Sequence, residues 1–183
     1  MIRDEYEIKL MLSKEQYEKL SGMFPDSKRR TFTQTNYYYD TLCLDMRKNN
    51  TTVRVREKNG RFKVTIKEHL SGRSTEKSFE IECLPSTISN ENMELKLFGN
   101  LCTKRTEIEI CEGITLMLDY NKYLDTEDYE MELEYVPEFK EKADEIILEL
   151  QSILGYRKVP TLSKSKSERF FRNFFKVDRT CLI

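Results

Sequence analysis

Charged side chains recur along this chain at two-residue spacing, in blocks that mostly carry a single sign. Glu5 and Glu7 precede Lys9; Arg54 and Arg56 stand together; Lys63 and Lys67 follow, then Glu80 and Glu82; and Glu130, Glu132 and Glu134 form a ladder, with Arg105 and Asp119 between. A spacing of two puts side chains on one face of a strand. Like charges side by side on a strand face repel one another unless opposite charges, a metal or a polyanion compensates them. Guanidinium groups satisfy phosphate oxygens in pairs, and lysine supplies a mobile point charge. Carboxylate oxygens suit a hard divalent cation such as Mg²⁺ or Mn²⁺. The chemistry open to this set is therefore binding of a polyanion together with a divalent cation.

These residues need strands to carry them, and the apolar residues on the other parity supply the pattern. Tyr6, Ile8, Leu10 and Leu12 alternate with Glu5, Glu7 and Lys9. Val53 and Val55, Phe62, Val64 and Ile66, Phe79 and Ile81, Ile108 and Ile110, Leu116 and Leu118, and Met131 and Leu133 do the same against the other charges. Strands are expected over 4–12, 30–40, 51–58, 61–67, 74–83, 101–111, 114–123 and 128–136. The first hairpin is marked by Asn59-Gly60, the pair best suited to a type I′ turn. Ser13 and Gln16 have capping-box spacing for a helix reaching Met23. Further helices are expected over 89–98, 139–154 and 163–176, the last rich in phenylalanine. For any one strand, a charged face is ordinarily the wet side of an antiparallel sheet. Segregation of sign across many strands argues instead for an inward ionic face, as in a barrel whose apolar outer face packs under helices.

Composition narrows the function classes. The chain of 183 residues suits a single domain spanning 1–183. With 31 Lys+Arg against 32 Asp+Glu and a net charge of -1, a nucleic-acid partner held by general electrostatics is not expected. No apolar run approaches the length of a membrane span, and the strand pattern begins at once, so a cytoplasmic protein with no membrane partner is expected. The five cysteines are scattered without a C-x-x-C pair and read as free thiols. The single histidine, His69, is expected in a loop, and mechanisms built on Ser–His–Asp or Cys–His have little to work with.

The run Glu5-Tyr-Glu7-Ile-Lys9 resembles the E-x-E-x-K signature of the CYTH family, the triphosphate tunnel metalloenzymes. Later segments follow in the family's order: Tyr39-Asp40-Thr41, Val53-Arg54-Val55-Arg56, Thr65-Ile66-Lys67, Glu80-Ile81-Glu82, Lys104-Arg105, Asp119, the Glu130–Glu134 ladder and Ser165-Lys166. The resemblance implies an α+β fold: a closed eight-stranded antiparallel β-barrel, or tunnel, with helices packed on the outside. It also implies that Lys9, Arg54, Arg56, Lys67, Arg105 and Lys166 contact phosphate oxygens. Lys63 could assist or replace Lys67, and Lys164 could stand in for Lys166. Glu5, Glu7, Asp119, Glu132 and Glu134 would hold Mg²⁺ or Mn²⁺, with Glu130 an alternative in its ladder and Glu80 and Glu82 either ligands or neutralising partners. Glu5, Glu7, Lys9, Arg54, Arg56 and Lys67 are the expected catalytic set. The implied activity is metal-dependent hydrolysis of inorganic triphosphate, thiamine triphosphate or a nucleoside triphosphate. Adenylate cyclase and a non-catalytic polyphosphate or nucleotide sensor are the alternatives, and a homodimer is a possible assembly.

Overall fold

The computed structural model describes the backbone at 2–70, 73–90, 92–156 and 163–180, with the side chains of those residues except at 2–5, 73 and 177–180. The Glu5 side chain, Gly72 and Cys181 lie outside the described residues. Strand β1 (Ile2–Leu12) carries the first alternation and leads into α1 (Lys14–Met23). Ser13 caps that helix: its Oγ accepts from the Gln16 backbone N–H at 3.2 Å, and its own N–H donates to Gln16 Oε1 at 2.9 Å. Then come β2 (Arg29–Asp40), the single turn α2 (Asp45–Lys48), β3 (Thr51–Lys58), β4 (Arg61–Leu70) and β5 (Arg73–Ile81). The β3–β4 turn holds Asn59 and Gly60 at φ 54° and 73°, the two positive values that a type I′ turn requires. The chain ends in β6 (Thr87–Asn90), β7 (Met93–Cys111), β8 (Ile114–Tyr123), β9 (Thr126–Tyr135), α3 (Lys140–Ile153) and α4 (Lys166–Thr180).

Hydrogen bonding links the strands antiparallel in the order β2-β3-β4-β5-β1-β9-β8-β7, and β7 pairs back onto β2. That last seam runs from Arg29↔Ile108 to Asp40↔Lys96, with a register shift at Tyr38/Tyr39. Eight strands thus form a ring, and β6 stands outside it on the edge of β7. A ring of this size has room for its own side chains or one small ligand.

The apolar parities face outward in two places. Leu10, Leu12, Leu116, Leu118, Met131 and Leu133 pack beneath α1 and α3, which contribute Leu20, Ala143, Ile147 and Leu150. Val53, Val55 and Val64 are covered by Met46 of α2 and by Leu95 of β7, with Ile88 of β6 beside them. Each such side chain contributes roughly 1.5–3 kcal/mol when withdrawn from water.

Two expectations are corrected here. Residues 89–98 do not form a helix: Thr87–Asn90 and the start of β7 form a hairpin in register Ile88↔Leu95 and Asn90↔Met93. Local helix propensity in Asn-Met-Glu-Leu-Lys-Leu is overridden because Leu95, fully buried, completes the core over Val53 and Val55. The phenylalanine-rich α4, in turn, does not cover the outside. Phe170 and Phe171 pack with Tyr38, Leu101 and Tyr123, which stand on the inward parity of β2, β7 and β8, so the helix enters one end of the barrel. Gly99 makes room for it, since a Cβ there would lie 2.9 Å from Phe170 Cζ.

Candidate active site

Four adjacent strands assemble one wall of the tunnel. Across β1 and β9 the register sets Glu7 beside Glu134, Lys9 beside Glu132 and Met11 beside Glu130. Strand β8 adds Asp119 opposite Glu130, and β7 adds Arg105 opposite Asp119. Asp119, Glu130 and Glu132 are buried and offer carboxylate oxygens within 4.8 Å of one another.

Cations hold this acidic cluster together. Arg105 donates to Asp119 through Nε at 2.8 Å and Nη2 at 2.6 Å, and to Glu132 at 2.5 Å. Lys9 reaches Glu132 at 2.9 Å and Glu7 at 3.1 Å, and Lys67 reaches Glu7 at 3.2 Å from β4. Lys166, the first residue of α4, places Nζ 2.8 Å from both Asp119 and Glu132 and also bonds Glu130. Arg169, one turn on, pairs with Asp128 at 2.8 Å and Glu130 at 2.7 Å. Burial would favour neutral acids, yet Lys9 and Arg105 hold Glu132 well below the usual carboxylate range. Asp119 is likewise buried and is held low by Lys166 and Arg105. Burial opposes charge on Lys9 and Arg105 as well, and their carboxylate partners outweigh it and raise both. Lys166 is pulled below the ordinary lysine value by burial, against the attraction of Asp119 and with repulsion from Arg105 and Lys9.

The wall opposite, from β2 to β5, is predominantly basic. Arg54 lies 3.6 Å from Glu76. Arg56 donates from Nε to the neutral Asn36 Oδ1 at 3.0 Å. Burial first, then Arg54 and Arg105, lower the Arg56 pKa to about 9. Buried donors on this side find no hydrogen-bond partner among the described residues: Arg54 Nε, Asn36 Nδ2, Gln34 Nε2 and the Tyr38 hydroxyl. Unsatisfied buried donors are costly, and those of Arg54 and Tyr38, which line the tunnel beside Arg56, form a cradle for acceptor oxygens. A cavity of about 190 Å³ separates the walls and is lined by Arg54, Arg56 and Lys67 on one side and Glu7, Lys9 and Glu132 on the other.

The remaining residues singled out from sequence are placed as follows. Glu5 stands on β1 opposite Ser74. Glu134 is half-buried and lines the cavity with Lys63, which is exposed at its rim. Glu80, in register with Lys63, and Glu82, past the end of β5, are exposed and apart from the acidic cluster. Lys164 is exposed and pairs with Glu168 at 2.7 Å, while Lys166 goes inside. Lys104 is exposed. His69 is the penultimate residue of β4, not a loop residue, and its Nε2 lies 2.9 Å from Thr52 Oγ1. Burial, then Lys67 and Lys9, lower its pKa.

Sequence reasoning missed Glu76, Asn36, Tyr38 and Arg169. Glu76 shares the parity of Glu80, so alternation carried a signal for it. Asn36 and Tyr38 share a parity on β2, but the neighbouring tyrosines hid their facing. Nothing local marks Arg169, because its partners Asp128 and Glu130 lie 41 and 39 positions earlier in the chain.

Comparison with known proteins matches this architecture. "Putative triphosphatase YjbK" of Bacillus subtilis (strain 168) is 29% identical over 146 residues, covering 71% of this chain and 76% of that protein. A Bacillus halodurans crystal structure described as a putative adenylate cyclase superposes with a TM-score of 0.73 at 29% identity, covering 93% of this chain and 98% of the other. A Hippeastrum protein, "Putative adenylyl cyclase HpAC1", described as revealing a dominant triphosphatase activity, has the same fold with a TM-score of 0.73 at 22% identity, covering 92% and 96%. The family model described as "CYTH domain" matches residues 3–171, nearly the full length, and the chain belongs to the CYTH domain family.

Proposed function

We propose that this protein hydrolyses a triphosphate with the help of Mg²⁺ or Mn²⁺ inside the tunnel. The observation that carries the reading is the cradle of unpartnered buried donors on β2 and β3, set across a narrow cavity from a carboxylate cluster. A triphosphate supplies acceptors and negative charge for Arg54, Arg56 and Tyr38, and its charge offsets the burial and the neighbouring arginines that depress Arg56. Lys67 and Lys9, on either side of Glu7, complete the grip. Arg105 is engaged by Asp119 and Glu132, so it orients those carboxylates before it can reach phosphate. The triphosphatase names of two relatives point the same way.

The acidic residues are of the kind a hard divalent cation takes: Asp119, Glu130 and Glu132 form an oxygen-only set that the Lys166 ammonium bridges, and Glu7 and Glu134 join Glu132 on the cavity wall, where a cation would meet the phosphate. When bound, such a cation neutralises charge on phosphate oxygens and draws electron density from phosphorus. Glu7, held by Lys9 and Lys67 at the cavity wall, is the carboxylate placed to orient an attacking water. Water oxygen bonds the terminal phosphorus, the bridging P–O bond breaks, and the water proton leaves through carboxylate to solvent.

The name of the Bacillus halodurans structure favours cyclisation of ATP as a second reading. One experiment separates the two: incubation with tripolyphosphate, thiamine triphosphate and ATP, each with Mg²⁺, Mn²⁺ or excess chelator. Orthophosphate release that stops with chelator is expected. Cyclic AMP with pyrophosphate from ATP overturns hydrolysis as the activity, and turnover unchanged by chelator removes the metal.

A further inference from the structure

The tunnel opens into a larger cavity of about 750 Å³, and Glu7, Lys9, Thr52, His69 and Ser165 line both spaces. A ligand gripped in the tunnel therefore has a continuous way out past these residues. On the wall of the outer cavity stands Arg47 of α2. Its helix is held rigidly for so short an element. Asp40, 1% exposed, accepts from the backbone N–H groups of Thr41, Met46 and Arg47 at 2.8, 3.0 and 3.1 Å. The Arg47 guanidinium lies over the Phe171 ring, 5.4 Å from its centroid. Its Nη1 is buried and has no acceptor among the described residues, and the Ser163 hydroxyl on the same cavity is buried and unpartnered too.

We propose that Arg47 and Ser163 form an anion subsite outside the tunnel, which takes the fourth phosphate of a linear phosphate chain whose first three occupy the tunnel. The inference rests on the triphosphate reading of the tunnel and extends it to substrate class. A planar guanidinium backed by an aromatic face is fixed before binding and presents its fork to tetrahedral oxyanions. The wall around them carries amide and hydroxyl groups from Asn50, Thr51, Ser165 and Ser167, which suit oxygen-rich groups, together with Lys164 paired to Glu168 and the apolar Val53 and Leu70. Phe171 has Arg47 stacked upon it, and the Tyr39 hydroxyl is bonded to the Pro85 carbonyl at 2.6 Å, so these rings offer a purine or pyrimidine a poor platform.

The test is calorimetric titration with tripolyphosphate, tetrapolyphosphate and ATP under one metal condition, alongside their hydrolysis rates. Wild type should bind tetrapolyphosphate about tenfold tighter than tripolyphosphate, the worth of one charge-assisted contact. Arg47→Gln should bring that ratio within about twofold, and Arg47→Lys, which keeps the charge without the fork, should fall between. Melting temperatures of both variants verify that α2 stays folded. A wild-type ratio near one, or a ratio untouched by Arg47→Gln, overturns the subsite. An advantage for ATP over tripolyphosphate that vanishes in Arg47→Gln assigns the cavity to an organic group and overturns the phosphate assignment. Failure of the underlying reading looks different: tripolyphosphate then does not bind at all, or binds equally to wild type and to Arg54→Gln.

Discussion

Replacing Arg56 with glutamine should make the free protein more stable and its ligand-bound form less so. Arg56 faces the tunnel from β3, donates to neutral Asn36 at 3.0 Å, and stands near Arg54 and Arg105. Its pKa is lowered from the ordinary arginine value to about 9 by burial, then by those two arginines. Because the unfolded chain holds the proton more tightly, keeping Arg56 charged at neutral pH opposes folding. At roughly 1.4 kcal/mol per pKa unit that depression corresponds to ~5 kcal/mol, and because the Arg56 side chain is only half-buried, screening by solvent reduces this to ~1–3 kcal/mol. For a domain of this size each kcal/mol moves the melting temperature by about 2–4 °C, so Arg56→Gln should melt about 3–8 °C higher without ligand. Tripolyphosphate at a hundredfold excess over Kd should stabilise wild type by about 2.7 kcal/mol and the variant by much less. Scanning calorimetry with and without tripolyphosphate, using a metal that supports binding and little turnover, reads both effects. Lys104→Gln, at an exposed site on the same barrel, is the control and should change neither. A free variant that melts lower than wild type, or an undiminished ligand shift, would refute the idea that this wall is built against its own stability to hold an anion.

Glu7→Gln should leave the fold intact, with a stability change within about 1 kcal/mol, and lower kcat by about a hundredfold or more, because it removes the carboxylate between Lys9 and Lys67; wild-type turnover would exclude the role given to it. Asp119 and Glu132 hold pKa values below their ordinary 3.8 and 4.5, so as pH falls the unfolded chain takes up protons first. Their stabilisation is therefore present above about pH 4.5 and lost progressively below it, and denaturant melts between pH 6 and 3 should show a falling acid limb. A flat profile to pH 3 would contradict the ion network. Gly99→Ala should cost about 1–3 kcal/mol by driving a methyl group to within 2.9 Å of Phe170. Limited proteolysis should then cut the α4 region faster, and cleavage at the wild-type rate would argue against close docking of that helix.

The sequence by itself determined which side chains share a wall. Strand periodicity is a property of the backbone, so Glu7 with Lys9, Arg54 with Arg56, and Glu130 with Glu132 had to face together whichever strands flanked them. It also determined local geometry that depends on near neighbours, such as the positive φ pair at Asn59 and Gly60 and the Ser13–Gln16 capping box. Tertiary structure decided what periodicity cannot reach. Insertion of β1 between β5 and β9, and the seam of β2 on β7, set the heights at which charges meet. That stagger placed Glu76 beside Arg54 and left Glu80 and Glu82 exposed, although Glu76, Glu80 and Glu82 share one parity. Burial of Leu95 over Val53 and Val55 turned a helix-favouring segment into a strand. Packing of Phe170 and Phe171 on the inward residues Tyr38, Leu101 and Tyr123 carried Lys166, and not Lys164, into the carboxylate cluster. Each of these depends on contacts between residues far apart in the chain, where register and docking follow from burying apolar surface across the whole barrel and from matching charges over the tunnel.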